Sequence, residues 1–258
     1  MNFFFSLKTK TFNSRLSIPK FQNRGKINNK IKLFSAKISN KNGVNIWKYE
    51  NVLCDENEYF FIVKNKNLEN KKFYFLASEN DMVNFDCYCL KKINNFTNTT
   101  PEFRVNSRLF LKNGAFSSYQ SDYPHKMLNI NGSIVSPLNS LLSKHNSNNK
   151  IIFINIYEKP IVERINYFIV NIKKEKILKK GFVFTNSMNE INIQKNFIMP
   201  ENFFFTQKYV GIPVYVSYNK NNISCEHTHP MTEYLFGEKK YILVRDFKNK
   251  INEIIKKN

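Results

Sequence analysis

Apolar and polar residues alternate over many short stretches of this 258-residue chain, and polar turns separate the stretches. Lys32 to Ile38, Tyr59 to Val63, Phe73 to Leu76, Phe85 to Leu90 and Glu102 to Lys112 each read as a strand. A hairpin across Lys66 to Lys71 is expected to join the second and third of these. Residues 113–135 have little periodicity and predict a long irregular segment, of a kind that often carries function. Ser136 as an N-cap, with Pro137 at the first helical position, predicts a short helix. Ile151 to Tyr157 is almost continuously apolar, as expected of a central strand covered on both faces. Ile165 to Ile172 and Ile177 to Thr185 form a hairpin across Lys173 to Lys176. Over Tyr209 to Tyr218, Val210, Ile212, Val214 and Val216 share one side, and Pro213 argues for an edge or a bulge. The turn Asn219 to Asn222 then leads into Ile223 to His229. At the C-terminus the pattern changes: Val244, Phe247, Ile251, Ile254 and Ile255 recur at spacings of three and four, an amphipathic helix. The fold class expected is mainly β, an antiparallel sandwich or barrel-like core with a short internal helix and a C-terminal amphipathic helix.

Composition supports a packed interior, with 42% hydrophobic and 15% aromatic residues. Charge changes the picture at the N-terminus. The net charge is +20, and residues 1–49 hold eleven Lys or Arg and no Asp or Glu, leaving 20 − 11 = +9 for the rest. Residues 1–29 lack a clear period, so they read as a basic leader or flexible arm dispensable for folding. Residues 30–258 then form a single β-rich domain, with a sub-boundary near 92–101. The acid-free leader, with Ser6, Ser14 and Ser17 among its basic residues, has the composition of an organelle transit peptide. As a solvated arm it would engage nucleic acid or an acidic partner. No stretch reaches the ~18 apolar residues of a membrane span. Cys54, Cys87, Cys89 and Cys225 lack paired spacing, which fits reduced thiols and a cytoplasmic setting.

Lys and Asn are abundant throughout, so they carry little information, whereas only six of the 40 basic residues are Arg. The planar guanidinium binds carboxylate or phosphate at two points, which Lys cannot do. Strand alternation puts Glu102, Arg104, Asn106 and Arg108 on one face, with Phe103, Val105 and Leu109 on the other. Tyr119, Asp122 and His125, in the hydroxyl-rich segment that follows, are expected to wall the site. The group recognised would be small and anionic or carbohydrate-like. The plainer alternative is a solvated face whose arginines pair with Glu102 and Asp122.

A second cluster is Cys225-Glu226-His227-Thr228-His229-Pro230-Met231-Thr232-Glu233. His227 and His229 share a strand face, and Glu233 follows four residues later, a set suited to a divalent metal such as Zn, Fe or Mn. The spacing His227, His229, Glu233 resembles the first metal motif of the cupin superfamily, which implies a metal-dependent enzyme on a β-barrel. The partner motif of that superfamily, with a further histidine downstream, is absent, since no His follows His229. His-Thr-His-Pro is also similar to the zinc motif of the JAB/MPN isopeptidases, without the downstream Ser and Asp of that pattern. The chain has no Gly-rich phosphate loop and no Gly-x-Ser-x-Gly elbow. Three functions therefore compete: an anion- or sugar-binding β-domain, a metal-dependent enzyme, and a structural or assembly protein with a basic arm.

Overall fold

The structure, a computed structural model, describes residues 2–22, 26–27, 30–83, 85–92, 104–145, 148–227, 234–236 and 241–258. Four antiparallel sheets stack face to face under one helix. Sheet I has the order β11 (Phe116–Gln120), β10 (Asn106–Phe110), β2 (Asn13–Pro19), β8 (Phe60–Val63) and β7 (Asp55–Glu56). Sheet II runs β12 (Asp122–Pro124), β1 (Asn2–Phe5), β9 (Phe73–Ala77), β5 (Lys32–Lys41) and β6 (Val44–Asn51). Sheet III runs β17 (Ser187–Ile193), β14 (Asn148–Asn155), β19 (Ile212–Tyr218) and β20 (Ile223–His227). Sheet IV runs β13 (Val135–Pro137), β18 (Asn202–Thr206), β15 (Arg164–Asn171) and β16 (Lys176–Phe184). Two small hairpins pair β3 (Phe21–Gln22) with β4 (Lys26–Ile27), and β21 (Tyr234–Phe236) with β22 (Tyr241–Leu243). The helices are α1 (Glu79–Met82) and α2 (Val244–Lys257).

Alternate side chains of each central strand enter different interfaces. In β1, Phe4 packs toward sheet I with Leu16, Ile18, Phe61 and Val63, while Phe3 and Phe5 pack toward sheet III with Ile152, Ile154 and Val214. In β14, Ile152 and Ile154 face sheet II, and Ile151 and Phe153 face Ile165, Tyr167 and Phe204 of sheet IV. The outer side of sheet IV, with Phe168, Val170 and Phe205, is covered by Val244, Phe247, Ile251 and Ile254 of α2. Those four are the helix stripe expected from the sequence, and each such burial contributes ~1.5–3 kcal/mol. The 165–185 hairpin, the central strand at Ile151 and the return through Asn219–Asn222 also form as expected.

Other expectations need correction. The arm expected over residues 1–29 is structural: β1 lies between β12 and β9, and β2 between β10 and β8. Phe3, Phe4, Phe5, Leu16 and Ile18 are all within 1% of full burial. The Nζ of Lys8 donates to the carbonyls of Asn65 and Leu68, both at 2.8 Å. The positive charge misled because the one basic side chain of β2, Arg15, occupies an outward position of an alternating strand. Strands β8 and β9 do not form a hairpin; a 3-10 turn at Asn65–Asn67 carries the chain from sheet I to sheet II. All five residues of β9 are buried, which only a central strand of an inner layer allows. Residues 85–92 are turns, not a strand, after α1, whose capping box joins Ser78 and Asp81. The short helix therefore sits there, whereas Ser136 and Pro137 belong to strand β13. The stretch 113–135 contains β11, β12 and β13. Pro213 lies in an inner strand, opposite Phe153 of β14, where an edge was expected. Most of the 92–101 boundary lies outside the described residues.

Two outcomes follow. Phe4→Ala should cost about 3–5 kcal/mol and lower the melting temperature by on the order of 10 °C, measured by circular dichroism; an arm would give no change. The second concerns Glu50, whose carboxylate lies 3.1 Å from Lys72, 3.2 Å from Lys37 and 3.4 Å from Lys48. Hydrogen bonds from Lys72 and then Lys37 hold its pKa down at about 2, from 4.5, against a smaller opposing effect of burial. A depressed carboxylate stabilises the fold above its ordinary pKa and loses that contribution as pH falls. Urea titrations should show Glu50→Gln less stable than wild type at pH 7, with the difference shrinking from pH 4.5 and gone near pH 2.

Candidate anion-binding face

No described element covers the outer side of sheet I, and the sequence-predicted arginines stand on it. In β10, Ser107 and Leu109 are fully buried and Arg108 is exposed, with Asn106 half-buried. Arg104, just before the strand, is exposed and donates from Nη1 to Gln120 Oε1 at 2.9 Å. Glu102 and Phe103 lie outside the described residues. Register then adds residues the sequence did not offer. Arg108 stands directly opposite Ser118 of β11 on one side and Arg15 of β2 on the other. Asn106 is flanked by Gln120 and Ser17 in the next row. Three of the six arginines in the chain thus share one sheet face. The signal for Arg15 was present in the alternation of Asn13-Ser14-Arg15-Leu16-Ser17-Ile18, masked by its reading as a leader.

The β10–β11 turn fixes this geometry. Gly114 has φ +90°, a backbone conformation open to glycine at little cost. Its N–H donates to Leu111 O at 3.0 Å, and Ala115 N donates to Asn113 Oδ1 at 3.2 Å. The tight return brings Phe116 opposite Phe110, with ring centroids 5.9 Å apart. The Arg108 guanidinium lies 5.3 Å from the Phe116 centroid.

Charge compensation is uneven across the sheet. On the β7 side, Lys20 pairs with Glu56 and Lys64 with Asp55. Among the described residues, Arg15, Arg104 and Arg108 make no ion pair. Among the described residues no ion pair joins these arginines to Asp122, and Glu102, the other expected partner, lies outside them.

The other expected wall residues do not join this face. Tyr119 points inward and is 6% exposed. Burial raises its phenol well above the ordinary value, with the Cys225 thiol and Asp122 carboxylate adding and Arg104 opposing, so the hydroxyl stays protonated. Asp122 sits in β12 opposite Phe4 of sheet II. His125 opens a 3-10 turn and its Nε2 lies 3.0 Å from the Lys91 carbonyl, a bond that ties two loops together.

The two clusters found in the sequence meet at Tyr119. The ring of His227 packs edge-on against it, with centroids 4.9 Å apart and planes at 83°. Strands β11 and β20 run beside each other there, so sheet I reaches past sheet II to touch sheet III. Of the candidate metal ligands, His229 and Glu233 lie outside the described residues. Among the described residues no three His, Cys, Asp or Glu side chains group as a metal site. No helix among them is long and apolar enough to cross a membrane.

The recesses formed by described residues are lined by other side chains. One groove of about 700 Å³ runs between Asn131, Tyr157, Gln207, Lys208, Tyr209 and Asn252, and a recess of about 290 Å³ lies at Ile38, Val162 and Phe184. Among the described residues, the arginine face is the surface of three neighbouring strands, and no described recess is lined by its arginines. No family model, curated protein or solved structure matches the chain.

The seam at Tyr119 makes one thiol distinctive. Burial, with a smaller effect of Glu226, pushes Cys225 up to about 12. Since the thiolate is the nucleophile, iodoacetamide at pH 8 should label Cys225 last of the four cysteines in the native protein, as read by peptide mass spectrometry. Labelling of Cys225 as fast as Cys87 would mean that the seam between β11 and β20 is open.

Proposed function

We propose that the protein binds anionic groups on the open face of sheet I, through Arg15, Arg108 and Arg104. The observation that carries this reading is the placement of Arg15 directly opposite Arg108 on exposed, paired strands, without a carboxylate partner among the described residues. Like charges directly opposite in a sheet destabilise it. An anion seated between the two guanidiniums relieves that repulsion and accepts several charge-assisted hydrogen bonds. Ser118, opposite Arg108, adds a hydroxyl donor, and Asn106 with Gln120 adds amides in the next row. The net charge of +20 favours the approach of such ligands over the whole surface. The side chains described on this face, guanidiniums, amides and hydroxyls, are hydrogen-bond donors and acceptors suited to binding.

Arg15→Gln/Arg108→Gln should weaken binding of fluorescent polyphosphate about tenfold or more by anisotropy. Its melting temperature should match or slightly exceed the wild type, because a repulsive pair has gone. Lys173→Gln/Lys180→Gln, with the same loss of charge on exposed positions elsewhere, should bind within about twofold of wild type. Equal weakening by both double variants would reduce the effect to net charge and remove the site.

A further inference from the structure

We infer that the ligand of this face is a single-stranded nucleic acid, laid across β2, β10 and β11. The inference rests on the anion-binding reading above and adds what the platform's shape, spacing and aromatic rings say about the ligand. The guanidiniums are held apart. Arg108 is drawn to Phe116 at one end of β11, and Arg104 to Gln120 at the other. Four residues of strand separate those ends, ~13 Å at the usual rise. One phosphate cannot bridge that distance, whereas a chain of phosphates meets both.

The second observation is the exposed aromatic pair. Phe116 is 55% exposed on a strand whose other outward residues are Ser118 and Gln120. Water-facing phenylalanine next to a guanidinium is a stacking platform: its π-face accepts any base, and Arg108 adds cation–π attraction. Phe110, opposite Phe116, widens the apolar surface. Asn13 in the row of the rings, Ser118 in the row of the arginines, and Asn106 with Gln120 in the row beyond offer both donors and acceptors to base edges. Bases are available for stacking only when unpaired. A flat sheet face, moreover, cannot enter a duplex groove as a helix or a two-stranded ribbon can. The paired lysines on the β7 side give the platform a polarity, with the strand running over β2, β10 and β11 and away from Asp55 and Glu56.

The test uses the full-length chain and anisotropy with fluorescein-labelled 15-mers of deoxythymidine and uridine, a 15-base-pair duplex, polyphosphate and polyglutamate, at one salt concentration. Both single strands should bind at least tenfold more tightly than the duplex or the two other polyanions, and their ratio shows which sugar is preferred. Phe116→Ala should weaken the single strands about tenfold and leave polyphosphate binding unchanged. Phe116 is mostly exposed, so the variant should melt with the wild type; Phe110→Ala gives a second variant should it not. Arg15→Gln/Arg108→Gln should lower the slope of log affinity against log salt by about 1.4 for the single strands. If duplex or polyglutamate binds as tightly as the single strands, or if neither phenylalanine variant changes their affinity, the nucleic-acid inference falls. The anion reading then survives only if the arginine variant still loses polyphosphate. If the arginine variant loses nothing, both fall.

Discussion

The inner sheets of this protein must bury both of their faces, and the rest of the architecture follows from that requirement. The central strands of sheets II and III, β9, β14 and β19, have almost no solvent side, so their residues cannot alternate between apolar and polar. Strand β9 accordingly reads Phe-Tyr-Phe-Leu-Ala with every residue buried, and β14 runs through Ile151 to Ile154 without exposure. Each such strand is insoluble by itself and demands a further layer on each side. Sheet I satisfies one side of sheet II, and sheet IV satisfies one side of sheet III. Sheets II and III satisfy each other through a cluster that includes Trp47 and eight buried phenylalanine or tyrosine side chains, Phe3, Phe73 and Tyr123 among them. The stack ends where a layer can face water.

Only two outer faces remain, and they are treated differently. The outer side of sheet IV is capped by α2, which turns Val244, Phe247, Ile251 and Ile254 inward. Among the described residues, no element covers the outer side of sheet I. Its strands can therefore alternate, and their outward positions are free of packing demands. That freedom is used unevenly. Near β7 the outward charges cancel in lysine–carboxylate pairs, while toward β11 arginine, amide, hydroxyl and phenylalanine side chains accumulate without an acidic partner among the described residues. A solvated face selected only for solubility would intersperse both signs of charge.

Where this was legible in the sequence depended on whether a segment's neighbours are close in the chain. The hairpin of β15 and β16, the stripe of α2 and the central position of β14 are written in local periodicity. The position of β1 is not, because Phe3-Phe4-Phe5 makes sense only with β9 and β12, some 70 and 120 residues away, on either side. Arg104, Asn106 and Arg108 were recognised from strand alternation alone, but Arg15 needed the pairing of β2 with β10, which no local pattern specifies. The abundance of Asn also concealed information. Asn171 and Asn202 hydrogen-bond to each other in the interior at 2.7 Å, and Asn186 donates to the carbonyls of Lys159 and Ile161 at 2.8 and 3.0 Å. In an Asn-rich chain such residues look like background, yet buried amides left unpaired would cost several kcal/mol, on the order of 1–3 each.

The same pairing that hides Arg15 from local analysis ties ligand binding to the N-terminal segment. Strand β2 reaches sheet I through hydrogen bonds to β10 and β8 and through Leu16 and Ile18 on its inner side. Its one outward arginine repels Arg108 of the neighbouring strand, so the empty face works against the very pairing that builds it. A bound anion reverses the sign of that contribution, because it attracts both guanidiniums and bridges the two strands. Ligand that binds only the folded state stabilises it by about 2.7 kcal/mol at a hundred times its dissociation constant, and here the gain is placed on the joint between residues 13–19 and the rest of the sheet. On the anion-binding proposal, the cohesion of this outer layer depends on what it holds.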